Sequence, residues 1–231
     1  MSGNRLVIAI DGPSGAGKST VSRLLAERLG YVQIDTGAMY RAVALLMSRA
    51  GIEPDAGEAM QLFCDTVDIR LNSVDGCLSV IANGQDVTDQ IRTPQISLLT
   101  SRISALKPVR EAMMRAQRAM GASGGVVLEG RDIGTVVFPD ADLKFFLSAS
   151  PEERGKRRFA ELTAKGESVT LAETIEAVSQ RDQQDSEREI APLRQADDAI
   201  AIDSSSLGIE EVLGSMESFV REKIAEQELS P

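Results

Sequence analysis

Histidine and tryptophan are both absent from this 231-residue chain. Without imidazole, Ser-His-Asp triads and histidine metal sites are excluded. Phosphoryl transfer survives that loss, because it depends on positioning and charge more than on a strong base. Aromatic residues make up 3% of the chain against 42% hydrophobic residues overall, so the core must be aliphatic. The two cysteines, Cys64 and Cys77, lack metal-binding spacing and read as reduced thiols of a cytoplasmic protein. No apolar run approaches the roughly 18 residues of a membrane span. The first core strand starts so near the N-terminus that no signal peptide is expected. A net charge of −10 argues against a nucleic-acid backbone as partner. An acidic surface with no evident apolar patch points to a monomer.

What is present begins with Gly12-Pro13-Ser14-Gly15-Ala16-Gly17-Lys18-Ser19-Thr20. This run matches the phosphate-loop pattern G-x-x-x-x-G-K-[ST] at every fixed position. The apolar run Leu6–Ile10 leads into it and a helical pattern, Val21–Leu29, follows. A strand feeding a Gly-rich turn that opens a helix aims backbone N–H groups at one point, where the helix N-terminus adds partial positive charge. Such a site suits a polyphosphate such as ATP, with Lys18 reaching the β- and γ-phosphates and the Ser19 hydroxyl ligating Mg²⁺.

Five short apolar runs read as buried parallel strands: Leu6–Ile10, Tyr31–Ile34, Val126–Leu128, Leu143–Leu147 and Ala199–Ile202. The fold expected is α/β, a five-stranded parallel sheet with helices on both faces. Binding is expected at the carboxyl ends of the strands, which carry Asp11, Asp35, Glu129 with Arg131, and Asp203. From about Asp65 to Thr93 the pattern changes to apolar–polar alternation, in Val67–Leu71 and Leu78–Ile81, punctuated by turn residues at Asn72–Gly76 and Asn83-Gly84. This predicts a small antiparallel meander inserted in the core. Helices are predicted over Pro94–Ala105, Pro108–Met120, Pro151–Glu187 with a break near Lys165-Gly166, and Ile209–Glu226.

Arginines stand out in so acidic a chain: Arg41, Arg110, Arg131, the group Arg154/Arg157/Arg158, Arg181 and Arg188. A planar guanidinium that keeps its proton suits phosphate recognition. For each one, a solvated helix face is the competing reading. Spacings of three and four put Arg154, Arg157 and Arg158 on one side of a helix, where they could close as a lid or pair with Glu152, Glu153 and Glu161. Arg181, Asp185 and Arg188 form one helical stripe, either an ion-pair ladder or a recognition face. Gly130-Arg131-Asp132 follows a predicted core strand. A carboxylate there favours cytosine, whose exocyclic amine donates, over uracil, whose carbonyl repels.

Taken together, Gly12–Thr20, Asp35-Thr36-Gly37-Ala38-Met39-Tyr40-Arg41, the run Gly130–Pro139, and Arg181-Asp182 through Ala191-Pro192-Leu193 closely resemble bacterial cytidylate kinases. The resemblance covers nearly the whole chain and implies a P-loop NTPase fold with a β-containing insert and a short lid. It implies one domain over 1–231, with a core of 1–40, 125–150 and 190–231, an acceptor-binding region with insert over 41–124, and lid and recognition helices over 151–189. The implied activity is transfer of the γ-phosphoryl group of ATP to CMP or dCMP, with Mg²⁺. Implied roles are residue-specific. Arg41 and Arg131 hold the CMP phosphate near Thr36 and Tyr40. Ser101, Arg110, Asp132 and Arg188 surround the cytosine edge, and Arg181 and Asp185 contact the sugar. Arg157 and Arg158 close over ATP; with Lys18 and Arg131 they form the expected catalytic set. Glu129 stands where the family commonly has aspartate, and Thr36 where some members have serine. The competing functions are a kinase for another small acceptor, such as shikimate or a different nucleoside monophosphate, and a nucleotide-dependent switch, weakened by the lack of an Asn-Lys-x-Asp guanine motif.

Overall fold

The structure is a computed structural model that describes residues 5–55, 57–74 and 77–229. Its elements alternate as β1 (Val7–Asp11), α1 (Lys18–Leu29), β2 (Val32–Asp35), α2 (Thr36–Ala50), α3 (Glu58–Asp65), β3 (Ile69–Val74), β4 (Cys77–Ala82), β5 (Gln85–Asp86), α4 (Pro94–Ile103), α5 (Lys107–Gly121), β6 (Val126–Gly130), β7 (Leu143–Ser148), α6 (Pro151–Ala164), α7 (Leu171–Glu187), β8 (Ile200–Asp203) and α8 (Ile209–Leu229). Two sheets result. One is five-stranded and parallel, in the order β2-β6-β1-β7-β8; the other is three-stranded, β3-β4-β5. The fold is that of a P-loop NTPase with an inserted antiparallel sheet, as the resemblance implies.

Contacts divide the chain into a first unit, residues 1–31 and 124–231, and a second unit, residues 32–123. The first unit is built around β1. Its residues pair in parallel with β6 on one side, Ile10 opposite Glu129 and Asp11 opposite Gly130. On the other side Ile10 lies opposite Phe145 and Asp11 opposite Phe146 of β7. Next, β7 pairs with β8, Ser148 opposite Asp203. The register therefore brings the C-terminal ends of β1, β6, β7 and β8 to a common edge. The core is aliphatic, as the composition requires: Leu6, Ile8, Ile10, Val21, Leu25, Val127, Leu147, Ile202, Leu213, Met216 and Val220 pack around Phe145. Phe145 meets Phe219 edge to face at 6.2 Å between ring centroids.

Helix ends follow local chemistry. Gly30, in the left-handed region at φ 64°, terminates α1. Thr170 and Glu173 form a reciprocal capping box at the start of α7, and Ser150 caps α6 with Pro151 at its first position. Helices α6 and α7 pack closely because Gly155 has no side chain. A Cβ there would run into Ile175 Cγ1 and lie 3.0 Å from Ile175 Cα.

The second unit holds β2, α2, α3, the meander, α4 and α5. Asp35 caps α2 by accepting the Ala38 N–H at 2.7 Å. The meander pairs as predicted, with β3 antiparallel to β4 from Ile69 opposite Ala82 to Val74 opposite Cys77. The turn expected over Asn72–Gly76 is overturned for its first three residues. Asn72–Val74 continue β3, cross-strand pairing having overridden their turn preference, and Asp75 and Gly76 lie outside the described residues.

Substituting Gly155→Ala should force α6 away from α7 and cost about 1–3 kcal/mol. Thermal denaturation would register this as a lowered midpoint; an unchanged midpoint would mean the two helices do not depend on that close approach.

Candidate functional site at the strand ends of the first unit

The phosphate loop leaves β1 at Gly12. Gly12, Gly15 and Gly17 have φ of 148°, 77° and 94°, values that side-chain-bearing residues rarely adopt. Space forbids a side chain at Gly12 as well and is tight at Gly15. A Cβ on Gly12 would collide with the Leu147 carbonyl oxygen, and one on Gly15 would lie 3.1 Å from Arg154 Cβ. Gly17 opens α1, whose first turn contains no acidic residue of its own. Lys18 is only 6% exposed and its Nζ donates to the Pro13 carbonyl at 2.6 Å, which holds the amine curled inside the loop. Burial pushes its pKa down, and the Arg131 and Arg181 guanidiniums add to the push, while Glu129 and Asp11 oppose it.

Ser19 and Thr20, at the start of α1, are exposed. Ser19 Oγ donates to Glu129 Oε2 at 2.9 Å, and Ser22 Oγ lies 3.5 Å from Glu129 Oε1. A hydroxyl and a buried carboxylate side by side at the loop are oxygen donors of the kind a hard cation takes. They fit Mg²⁺, which is commonly held by one or two such groups together with substrate phosphates. No cluster of three or more acidic, cysteine or histidine ligands occurs among the described residues, so a dedicated protein cage is not what they offer.

Asp11 organises the neighbouring turn. Its two carboxylate oxygens accept the N–H groups of Ile133 at 2.8 Å and Gly134 at 2.7 Å. Those residues begin a π-helical turn over Ile133–Val137, directly after Asp132. The phosphate loop and the Gly130–Asp132 segment are thereby fixed to one another through one side chain. Burial raises the Asp11 carboxyl from 3.8 to about 6, against the pull of the two amides and of Lys18 and with a smaller push from Asp132.

Around that turn lies a second cluster of charge. Arg131 Nε donates to Asp185 Oδ2 at 2.8 Å. Arg188 sits 3.8 Å from both Asp185 and Asp132, and its Nε donates to the Ala191 carbonyl at 2.6 Å. Ala191 adopts φ 52°, a strained value for a non-glycine residue that aims this carbonyl at the guanidinium. Burial alone would raise the Asp185 pKa; Arg131, Arg181 and Arg188 outweigh it and hold the carboxyl below its ordinary range. The expected stripe of Arg181, Asp185 and Arg188 is not a ladder confined to one helix: α7 ends at Glu187, and Arg188 is its C-cap with extended backbone. Arg131, from another element, shares the Asp185 carboxylate.

The α6 arginines separate into three environments. Arg158 pairs with Glu161 at 3.0 Å on a partly exposed face. Arg157 donates to the Ser204 carbonyl at 2.7 Å, to Ser204 Oγ at 3.2 Å and to the Ala16 carbonyl at 3.4 Å. Arg154 is buried and donates to the Ser14 and Ala149 carbonyls. In the second unit, Arg41 lies 3.2 Å from Asp35, with its Nε buried and lacking a hydrogen-bond acceptor. Arg110 is buried in α5 and donates to the Ser104 carbonyl at 3.1 Å. Thr36 and Tyr40 lie on the first turns of α2, and Ser101 on α4. Sequence reasoning placed Asp11 at the binding edge and Arg154 among the lid candidates, but foresaw neither the Asp11 bonds to the Ile133 and Gly134 amides nor the Arg154 bond to the Ser14 carbonyl. The signal for Asp11 was its place immediately before the loop.

A Gly-rich loop between β1 and α1, with its lysine buried inside it and a carboxylate on its serine, defines a nucleotide-binding protein of the P-loop class. Residues 8–222 match the family model for cytidylate kinase, and the chain belongs to that family. The cytidylate kinase of Geobacter sulfurreducens is 65% identical over 218 residues, covering 94% of each chain. That of Citrifermentans bemidjiense is 60% identical over 223 residues, covering 96% of each. Among solved structures, a shikimate kinase from Acinetobacter baumannii aligns with a TM-score of 0.46 at 14% identity, covering 95% of each chain. No helix among the described residues is long and apolar enough to cross a membrane.

The raised Asp11 pKa has a definite sign. Its contribution to stability is complete below 3.8 and is lost as pH rises through about 6. Replacing Asp11→Asn should therefore cost least at neutral pH. The stability gap between the two proteins should widen by up to about 3 kcal/mol on acidification to pH 4. Denaturant titrations at several pH values check this, and a gap independent of pH would contradict it.

Proposed function

We propose that this chain transfers the γ-phosphoryl group of ATP to CMP or dCMP, giving ADP and CDP or dCDP. The observation that supports this most is the cluster Arg131–Asp132–Asp185–Arg188, which stands at the same sheet edge as the phosphate loop. It combines guanidiniums for an anionic acceptor with a buried carboxylate for an amino group. Family membership supplies the rest.

In this reading Gly12, Pro13, Ser14, Gly15, Ala16, Gly17, Lys18, Ser19 and Thr20 cradle the donor phosphates. Lys18 supplies charge to the β- and γ-oxygens. Ser19, with Glu129 as its carboxylate partner, would hold Mg²⁺, which would supply charge neutralisation to the donor phosphates. In the first unit Arg131 takes the acceptor phosphate, Asp132 and Arg188 the cytosine edge, and Arg181 and Asp185 the sugar. In the second unit Thr36, Tyr40 and Arg41 serve the acceptor phosphate, and Ser101 and Arg110 the base. Arg157 and Arg158 close over ATP. The region 41–124 is the acceptor-binding part and 151–189 the lid and recognition helices of a single domain. A monomer working in the cytoplasm belongs to the same proposal.

An acceptor phosphate oxygen is already ionised at neutral pH, so the chain needs no strong general base and the missing histidine costs it nothing. Guanidiniums hold two anions together and take up charge in the transition state. Asp132 discriminates: it accepts from the cytosine amine and faces a uracil carbonyl with like polarity.

Release of ADP on addition of CMP, UMP or AMP tests the reading. CMP should be strongly preferred, and comparable rates with all three would overturn it. Asp132→Asn should reduce the preference for CMP over UMP by about 10- to 100-fold. Lys18→Ala should lower turnover by at least about 10²-fold, and near-normal turnover would sink the assignment.

A further inference from the structure

We infer that Arg154 is a positioning residue that ties the phosphate loop to α7, so that donor and acceptor binding strengthen one another. The inference rests on the proposed reading of α7 as a carrier of acceptor contacts.

The three α6 arginines are equivalent by spacing, yet only Arg154 is withdrawn from solvent, at 4% exposure. Its guanidinium reaches three parts of the first unit. Nε donates to the Ala149 carbonyl at 2.8 Å, just past the end of β7. Nη1 donates to the Ser14 carbonyl at 3.1 Å, within the phosphate loop. Nη1 also meets the carboxylate of Asp182 on α7. Below the guanidinium, the Arg154 backbone and Cβ pack against Gly15, whose missing side chain leaves room for only that approach. Asp182 lies between Arg181 and Asp185, the two α7 residues whose charges bear on Lys18 and Arg131 respectively.

A buried guanidinium cannot shed a partner cheaply, because the charge left behind is neither paired nor hydrated. The Ser14 carbonyl, the Ala149 carbonyl and Asp182 therefore keep their mutual geometry together. The close contact of α6 with α7 at Gly155 and Ile175 leaves little slack for either helix to shift alone. Seating phosphate in the loop fixes the Ser14 carbonyl, which fixes the Arg154 fork, which fixes Asp182 and the turn of α7 bearing Arg181 and Asp185. By reciprocity, an acceptor that orders α7 tightens the loop by the same factor. Arg154 touches no nucleotide in this scheme. It acts through Ser14 and Asp182.

The experiment measures binding of a non-hydrolysable ATP analogue with and without saturating CMP, in the full chain with Mg²⁺. The unaltered protein should bind the analogue several-fold more tightly when CMP is present. Arg154→Met and Asp182→Asn should each reduce that ratio toward one, a loss of about fivefold or more. Arg154→Lys, which keeps the charge but not the fork, should behave like Arg154→Met. The double variant Arg154→Met/Asp182→Asn should lose no more coupling than either single change, since both break one link. Thermal melting identifies variants that remain folded, and Asp182→Asn carries the test if Arg154→Met does not fold. Lys156→Met, on the exposed side of α6, should leave the ratio unchanged. A ratio preserved in both single variants, or losses that multiply in the double variant, would overturn the inference while phosphorylation of CMP continued. A ratio of one in an unaltered protein that phosphorylates CMP would overturn it as well. If the unaltered protein does not phosphorylate CMP at all, the functional reading falls and the coupling falls with it.

Discussion

Buried positive charge is the constraint from which the first unit is arranged. Lys18 and Arg154 are almost wholly withdrawn from water, and the Arg188 side chain is nearly so. Taking such groups out of solvent costs several kcal/mol each unless partners replace the lost hydration. The chain provides partners of two kinds. Carbonyl oxygens of Pro13, Ser14, Ala149 and Ala191 hold the cations in place without cancelling their charge. Carboxylates of Asp185, Asp182 and Asp132 balance them. Much of the geometry at the strand ends follows from satisfying both sets at once. The strained backbone at Ala191 is one consequence: it places a carbonyl where the Arg188 guanidinium needs an acceptor.

The carboxylates differ in how fully they are balanced. Asp185 stands among three guanidiniums and is held ionised. Asp11 stands between two backbone amides and beside another carboxylate, and burial leaves it easier to protonate. The first is electrostatic ballast for recognition groups; the second is a mechanical tie made at some electrostatic expense. A carboxylate suits the second task because it alone among side chains offers two acceptor oxygens to adjacent N–H groups. The pair of bonds to Ile133 and Gly134 fixes the π-helical turn that presents Asp132.

Much of the fold was legible in the sequence because its signals are local. Each apolar run that reads as a strand became one, and the loop pattern carries its own requirement for glycine at Gly12 and Gly17. Nothing local distinguishes Arg154 from Arg157 or Arg158, since spacing sets a helix face but not depth. Depth comes from what α6 packs against, and only the fold shows that Arg154 faces the loop and α7 while Arg158 faces Glu161. The stripe Arg181–Asp185–Arg188 was visible, but its partner Arg131 was 54 residues from Asp185 and undetectable as such. The longer acid at Glu129 has a direct structural reading. Its carboxylate reaches both Ser19 and Ser22, so the longer arm spans two successive turns of α1.

The same electrostatics bears on how a phosphate is received by so acidic a chain. Burial and the neighbouring guanidiniums weaken the hold of Lys18 on its proton, while Glu129 and Asp11 partly restore it. A triphosphate entering the loop reverses the balance, because its negative charge favours the ammonium form at short range. In the proposed reaction the lysine meets the donor with a curled, internally bonded amine and is charged most firmly once the phosphate is in place. The net charge of −10 does not oppose this, since exposed charge is screened beyond about 10 Å at moderate ionic strength. What the phosphate meets at contact distance is the loop, the helix start free of acidic residues, and Lys18.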